Sequence, residues 1–261
     1  MKEFLKRIAV EAGELSLGYR EGLSSIRVRQ KSAKNLVTEA DVAVERFLVQ
    51  QIRDRFPDHA ILAEEGGSLG GIAPYRWIID PIDGTNSFLH GQPFYSVSIA
   101  LEKDGHVILG SVYAPVLGEL FLAERQGGAT LNGTPIRVSA EDTLVDCLLG
   151  TGFACLRDNL PRNNLPYLCA VLPKVLDIRR SGSVAIDLCY VACGRLDGFW
   201  ELNLRPYDIA AGQLILAEAG GRITDFAGGE DHIPDELAAS NGRIHKDLVR
   251  ILCRVDGSEP A

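Results

Sequence analysis

Apolar residues in the first part of the chain recur at helical spacing. Between Phe4 and Leu15 they lie three or four residues apart, which predicts a helix that stops near Gly18 and Gly22. Asn35–Thr38 is predicted to be an extended or turn segment. A second helix is predicted from about Ala40 to Phe56, where Pro57 follows and cannot continue it.

The next segments change to patterns typical of strands. Short strands are predicted around Ala60–Ala63 and Arg76–Asp80. The glycine-rich stretch between them lacks the spacing of a phosphate-binding P-loop and is interpreted as a mobile loop. Its glycines are Gly66, Gly67, Gly70 and Gly71.

Three β-rich runs then form a meander between Tyr95 and Val138, with turn residues between them. Further helices are predicted from about Val184 to Gly194 and from about Asp208 to Ala219. Consecutive strands with helices kept to the ends indicate an α+β fold. No repeat or linker divides the chain, so we expect one catalytic unit, with 1–145 as the metal-site half and 146–261 as the substrate-side half.

Composition narrows the class of protein. Hydrophobic residues make up 46% and charged residues 24%, as in an ordinary globular protein. The net charge of −8 argues against general nucleic-acid binding. No apolar run reaches the ~20 residues that span a bilayer, and the charged N-terminal segment is not a secretory signal. Six cysteines without a CxxC pair indicate reduced, mostly buried thiols and a cytoplasmic location.

The segment from Asp80 to Asn86, DPIDGTN, follows an apolar strand directly. Two acids so close together would repel each other unless a hard divalent cation lies beside them. Thr85 and Asn86 can begin a short helix, which would leave the amides of Gly84 and Thr85 available to an anion such as phosphate. The alternative is a turn in which Asp83 caps a helix and Asp80 is solvated.

Further acids strengthen the metal hypothesis as a group. Glu64 and Glu65 also follow an apolar run, and Asp208 opens a helix that is otherwise apolar and small. Asp41 lies at the start of the second predicted helix. Helix capping alone can explain Asp208 and Asp41, so the hypothesis depends on the acids together and on no single one.

With these motifs the sequence resembles the inositol monophosphatase family, which belongs to the lithium-sensitive, magnesium-dependent phosphatases. The resemblance extends from about Leu5 to Asn241 in matching order. Its motifs are DPIDGTNSF from Asp80 with Trp77 before it and His90-Gly91 after it, Glu64-Glu65, the segment from Asn35 to Asp41, Asp208 to Gly212, and Glu218 to Gly221.

The resemblance implies a layered α-β-α-β-α sandwich, a homodimer and inhibition by lithium. It implies two to three Mg²⁺ ions: a first on Glu64, Asp80 and the Ile82 carbonyl, a second on Asp83 and Asp208 with Asp80 shared, and a third, weaker ion on Glu64 and water. It further implies that Thr85, helped by Asp41, orients the attacking water, and that Gly84 and Thr85 bind phosphate. Polyol hydroxyls would contact Asp83, Glu201 and the backbone at Gly182, Ser183 and Val184.

The sequence departs from the family near the organic end of the substrate. Tyr207 stands where the family usually has Trp, and Val184 where a smaller residue is common. Arg179 and Arg180 precede the substrate segment and suit either a second phosphate or a solvated surface. These departures concern the choice of substrate more than the chemistry.

We therefore expect hydrolysis of a small phosphate ester, inositol 1-phosphate first, by a metal-activated water without a covalent intermediate. Fructose 1,6-bisphosphate ranks second, and histidinol phosphate and a 3′-phosphoadenosine nucleotide are further alternatives within the class. The alternatives from other functional classes are a protein- or RNA-associated regulatory factor and a structural module that binds a cation. Cation binding without turnover would favour the last of these.

Overall fold

Helices lie between runs of consecutive strands along the chain, and the described strands form one hairpin and two larger sheets. The computed structural model describes residues 1–23, 26–32, 35–70, 73–158, 160–230 and 235–257. The helices are α1 (Lys2–Glu21), α2 (Glu39–Arg55), α3 (Thr85–Leu89), α4 (Ala154–Arg157), α5 (Leu165–Val171), α6 (Val184–Ala192), α7 (Pro206–Glu218) and α8 (His245–Val255). The strands are β1 (Val28–Ser32), β2 (Asn35–Thr38), β3 (Ala60–Ala63), β4 (Gly67–Leu69), β5 (Tyr75–Asp83), β6 (Ser96–Lys103), β7 (His106–Ala114), β8 (Glu119–Glu124), β9 (Gly128–Leu131), β10 (Thr134–Pro135), β11 (Leu148–Thr151), β12 (Asp177–Arg179), β13 (Gly198–Leu202), β14 (Arg222–Thr224) and β15 (Glu236–Ser240).

The larger sheet has the strand order β10-β9-β8-β7-β6-β5-β3-β4. Its neighbouring strands are antiparallel except β3 and β5, which run parallel. Successive side chains of a strand point to opposite faces, so Trp77 and Ile79 pack with α1 and α2 while Ile78 packs with α6 and α7. Both faces of this sheet are therefore covered.

The smaller sheet has the order β12-β11-β13-β15-β14. Strand β11 runs parallel to β12 and β13, and β15 is antiparallel to β13 and β14. Phe199 packs with α6 and α7, whereas the next residue, Trp200, packs on the opposite face with α5 and α8. Helices thus cover this sheet on both sides as well.

The layers follow from these contacts. They are α1 with α2, the larger sheet, α6 with α7, the smaller sheet, and α5 with α8. The central helices are apolar on almost every side because a sheet covers them above and below. The predicted α+β class and the α-β-α-β-α arrangement are confirmed.

Some boundaries differ from those predicted. The glycine-rich stretch is not a loop throughout, because Gly67–Leu69 forms β4 and pairs with the backbone at the edge of β3. Gly71 lies outside the described residues. Helix α1 ends at Glu21, between Gly18 and Gly22 as predicted. Helix α7 begins at Pro206, since proline suits the first position of a helix, so Asp208 lies inside the first turn.

The cysteines are free thiols, and most of them lie in the core. Cys147, Cys155, Cys189 and Cys253 are buried, and Cys169 is exposed. Burial raises the pKa of the Cys147 thiol to about 12, which disfavours the reactive thiolate. In the part of the chain that the structure describes, no helix is both long enough and apolar enough to cross a membrane.

Candidate active site

The turn that ends β5 carries two of the predicted acids. The pairing of β5 with β6 is irregular between Asp80 and Asp83, and the Ile82 amide donates to Asp80 Oδ1 at 3.0 Å. Gly84 has a φ of 97°, and a methyl group on it would lie 2.8 Å from the Phe94 carbonyl oxygen. Glycine is therefore required before α3, which begins at the next residue as predicted.

The Asp83 carboxylate faces the N terminus of α6. Its Oδ2 accepts hydrogen bonds from Ser183 Oγ at 2.5 Å and from the Ala185 amide at 2.8 Å, and its Oδ1 accepts one from the Val184 amide at 3.3 Å. The net effect of the surroundings is to raise the pKa of Asp83 to about 6. Burial is the largest cause and outweighs these hydrogen bonds, which lower the pKa, while the charge of Glu64 raises it. Asp83 thus joins the larger sheet to a helix from the second half of the chain.

Asp41 and Thr85 lie together behind this turn. Asp41 and Thr38 cap α2 reciprocally, with the Thr38 amide donating to Asp41 Oδ2 at 2.8 Å. The Thr85 hydroxyl lies 3.5 Å from Asp41 Oδ1 and 3.2 Å from the Ile82 carbonyl oxygen. The pKa of Asp41 is raised to about 6, because the effect of burial outweighs that of the hydrogen bonds from Thr38, which lower the pKa. Capping and contact with Thr85 therefore use different oxygens of one carboxylate.

Glu64 and Asp208 reach the same cleft from other elements. Strands β3 and β5 are parallel, so their C-terminal ends meet at one edge of the sheet, and Glu64 follows β3 there. The next residue, Glu65, donates its amide to Glu45 Oε2 at 2.8 Å. Asp208 Oδ2 accepts the Arg205 amide at 2.6 Å. Asp208 caps α7 and lines the cleft at once, so the two readings of its sequence position are compatible.

The carboxylates act strongly on one another. Burial raises the pKa of Asp80 well above its ordinary value, and the charges of Glu64, Asp83, Asp208 and Asp41 raise it further. Among the described residues, no three His, Cys, Asp or Glu side chains are arranged to enclose an ion. Crowded carboxylate oxygens nevertheless fit a hard divalent cation, which would offset their repulsion.

These groups line a cleft of about 530 Å³. The first half of the chain contributes Glu64, Glu65, Asp80, Ile82, Asp83, Gly84 and Thr85. The second half contributes Thr151, Gly152, Ala154, Asp158, Arg180, Gly182, Ser183, Val184, Asp187, Glu201, Asn203, Leu204, Arg205, Tyr207 and Asp208. Every predicted site residue lines it except Asp41, which contacts Thr85 from behind.

Glu201 enters the cleft because a glycine leaves room for it. Glu201 is 3% exposed, and its Oε1 accepts the Ala154 amide at 2.8 Å. A methyl group on Gly152 would lie 2.0 Å from Glu201 Oε2. Glu201 was predicted through the resemblance, whereas Gly152 was not, since a single glycine in a sequence does not show which side chain approaches it.

Asp187 lines the cleft and was not predicted from the sequence. It lies in the first part of α6 and is 3% exposed. Burial raises the pKa of Asp187 well above its ordinary value; a hydrogen bond from the Ser181 side chain lowers it, and the charges of Glu201 and Asp83 raise it. An acid in an otherwise apolar helix was the available signal, the same one that singled out Asp208.

The remaining cleft residues lie near the predicted organic end. Arg180 lines the cleft, whereas Arg179 is exposed and forms an ion pair with Asp177. Asn203 Nδ2 donates to Asp158 Oδ2 at 2.6 Å. These residues are far apart in the sequence, so no local sequence pattern predicts the contact. Of the two arginines singled out in the sequence, only Arg180 is placed to meet a ligand.

The model of the inositol monophosphatase family matches residues 1–256. The Nus factor SuhB of Pseudomonas aeruginosa is 43% identical over 250 residues, which cover 93% of this chain and 92% of that protein. The inositol-1-monophosphatase of Synechocystis sp. is 46% identical over 222 residues, covering 84% of this chain and 77% of that protein. The crystal structure of the extragenic suppressor protein suhB from Bartonella henselae is 39% identical with a TM-score of 0.91, covering 96% of this chain and 97% of that one. The chain therefore belongs to the inositol monophosphatase family.

Proposed function

We propose that this protein is a magnesium-dependent phosphatase that hydrolyses the phosphate monoester of a small polyol, with inositol 1-phosphate as the leading substrate. The observation that carries the proposal is the meeting of Glu64, Asp80, Asp83 and Asp208 in one cleft beside the start of α3. Carboxylates bind the cations that a phosphate ester needs, and free amides bind its oxygens. Membership of the family supports phosphatase chemistry.

Two to three Mg²⁺ ions would be held by oxygen ligands alone. Glu64, Asp80 and the Ile82 carbonyl would hold the first, and Asp83 and Asp208, with Asp80 shared, the second. A third, weaker ion would depend on Glu64 and water. When bound, magnesium supplies positive charge for the phosphate oxygens and the leaving alkoxide and lowers the pKa of water. The mutual repulsion that raises the pKa of Asp80 is the feature that fits such ions.

Thr85 and Asp41 would orient the attacking water. The Thr85 hydroxyl hydrogen has two acceptors, Asp41 Oδ1 at 3.5 Å and the Ile82 carbonyl oxygen at 3.2 Å, so its lone pairs are left to accept a hydrogen bond from water. Asp41, whose pKa burial raises to about 6, can take up a proton near neutral pH. The amides of Gly84 and Thr85 would hold the phosphate.

The second half of the chain would bind the polyol. Glu201 and Asp83 offer acceptors for hydroxyl groups, and the backbone from Gly182 to Val184 lies beside them. Ser183 would contribute through its backbone, because its side chain donates to Asp83. Arg180 offers a positive charge to a second phosphate, which keeps fructose 1,6-bisphosphate as the alternative substrate.

The direct test is phosphate release with Mg²⁺ from inositol 1-phosphate, fructose 1,6-bisphosphate, histidinol phosphate and 3′-phosphoadenosine 5′-phosphate. Asp83→Asn should nearly abolish turnover because it removes a ligand charge while keeping the shape. Asp104→Asn makes the same change in an exposed turn and should leave turnover intact. Release from none of the four, or full activity in Asp83→Asn, would contradict the proposal.

Several relatives bear the name Nus factor SuhB, which favours a regulatory role as the second candidate function. Complementation of a strain that lacks this gene would separate the two roles. Rescue by folded but inactive Asp83→Asn would show that the chemistry is dispensable, and failure to rescue would tie the phenotype to turnover. A homodimer, lithium inhibition and a cytoplasmic location belong to the phosphatase proposal and are checked by sedimentation, inhibition and fractionation.

A further inference from the structure

The N-terminal cap of α6 is directed at Asp83, one of the proposed metal ligands. Ser183, the capping residue, is fully buried. Its Oγ accepts the Ile186 amide at 3.2 Å and donates to Asp83 Oδ2 at 2.5 Å. Since a hydroxyl group has one hydrogen, the cap and the carboxylate together define how this side chain is turned.

Two further side chains hold the cap in place. Ser181 Oγ accepts the Ser183 amide at 3.1 Å and lies 3.1 Å from the Ser183 carbonyl oxygen. The Asp187 carboxyl, in the first turn of α6, is an alternative acceptor for the one hydrogen of the Ser181 hydroxyl. Hydrogen bonds therefore lead from Ser181 through Ser183 to Asp83, and Asp187 lies where it can accept from Ser181.

These bonds restrict rotation of the Asp83 carboxylate. Oδ2 accepts two short hydrogen bonds, from Ser183 and from the Ala185 amide, whereas from the described residues Oδ1 accepts one bond, from Val184 at 3.3 Å. A carboxylate has about four lone-pair positions, so Oδ1 keeps the greater capacity for a cation. Loss of the Ser183 hydroxyl would leave Asp83 Oδ2 with one hydrogen-bond donor. The carboxylate could then rotate, and Oδ1 would no longer be held as the oxygen available to a cation.

We propose that Ser183 is a positioning residue that orients Asp83 for cation binding, and that Ser181 and Asp187 hold Ser183 in that role. The inference rests on the proposed metal site and goes beyond it, because it makes that site depend on the cap of a helix in the other half of the chain. Partners that orient metal ligands typically contribute about 10–100-fold to metal affinity.

The experiment is calorimetric titration of the full chain with MgCl₂, which reports binding without any turnover. Ser183→Ala removes the donor, and Ser183→Thr restores a hydroxyl that also caps helices. Ser111→Ala is the matched control, because Ser111 Oγ is buried and has no hydrogen-bond partner among the described residues. Circular dichroism establishes that each variant is folded.

Ser183→Ala should bind Mg²⁺ about 10–100-fold more weakly, with Ser183→Thr and Ser111→Ala close to the unsubstituted protein. Equal Mg²⁺ affinity in Ser183→Ala would overturn the proposal, as would a raised KM with unchanged affinity, which would mean direct contact with substrate. If Ser183→Ala does not fold, unchanged affinity in Ser181→Ala would overturn it equally.

The two proposals fail in different ways. If the unsubstituted protein binds Mg²⁺ and Ser183→Ala binds it equally well, only the positioning role of Ser183 is refuted. If the unsubstituted protein binds no Mg²⁺, the proposed metal site is refuted, and the role of Ser183 with it.

Discussion

Adding one methyl group at Gly152 tests how the cleft binds the organic part of its substrate. In Gly152→Ala the new Cβ would lie 2.0 Å from Glu201 Oε2, whereas ordinary van der Waals contact begins at 3.4 Å. The carboxylate must therefore move by about 1.4 Å, and it must give up its 2.8 Å hydrogen bond from the Ala154 amide. Glu201 is 3% exposed, so the cleft itself is the open space beside it, and the displaced carboxylate would move into the volume proposed for the polyol.

A displacement of about 1 Å in a substrate-positioning group can cost about 100-fold in rate. We expect kcat/KM for inositol 1-phosphate to fall by about that factor in Gly152→Ala. The Mg²⁺ concentration that gives half-maximal rate should be unchanged, because Glu201 is outside the proposed set of metal ligands. The lost charge-assisted hydrogen bond should also lower the free energy of unfolding by about 2 kcal/mol.

The assay is steady-state phosphate release over a matrix of substrate and Mg²⁺ concentrations, with Gly18→Ala as the control. Gly18 lies in α1 with no atom within 4 Å of an added methyl group. Gly18→Ala should keep its kinetics and gain about 1 kcal/mol of helix stability. Unchanged kcat/KM in Gly152→Ala, or a loss confined to Mg²⁺ dependence, would refute the assignment of Glu201 to the polyol.

Three further predictions concern stability and substrate choice. Burial lowers the pKa of His245 from 6.5 to about 4. As the pH falls, the imidazole is therefore protonated in the unfolded chain before it is protonated in the folded one. The free energy of unfolding should decrease by about 3 kcal/mol between pH 6.5 and pH 4. Urea unfolding of His245→Asn should show a smaller fall, and an equal one would contradict the reasoning. Phe199→Ala should cost about 3–5 kcal/mol in the same assay, because the Phe199 side chain is fully buried where β13 packs against α6 and α7; a cost below about 1 kcal/mol would count against that packing. Tyr207→Trp, which restores the residue usual in the family, should change the ratio of kcat/KM between inositol 1-phosphate and fructose 1,6-bisphosphate without changing Mg²⁺ dependence, and an unchanged ratio would remove Tyr207 from substrate choice.

Local features of the site could be predicted from the sequence because their causes are local. The turn from Asp80 to Thr85 follows an apolar strand, and Gly84 adopts the left-handed backbone conformation that glycine favours. The start of α2 at Thr38 and Asp41 is likewise a capping pattern of neighbouring residues. Such signals predicted the elements and the acids at their ends.

Contacts between distant segments could not be predicted in this way. Gly152 matters only because Glu201 approaches it from β13, and Asp187 joins the cleft only because α6 is placed against the turn of β5. Strand β4 is too short to be recognised by pattern and exists because β3 offers an unpaired edge. The orientation of α6 could not be predicted from the sequence either, because a helix that is buried on all sides has no polar face to indicate which side faces solvent.

The most direct test of the central claim is phosphate release from inositol 1-phosphate by protein treated with EDTA and then titrated with Mg²⁺. We predict no measurable release before Mg²⁺ is added, full recovery at saturating Mg²⁺, and no recovery in Asp83→Asn. Turnover that is independent of Mg²⁺, or no turnover at any Mg²⁺ concentration, would contradict the account of this cleft as a metal-dependent phosphatase site.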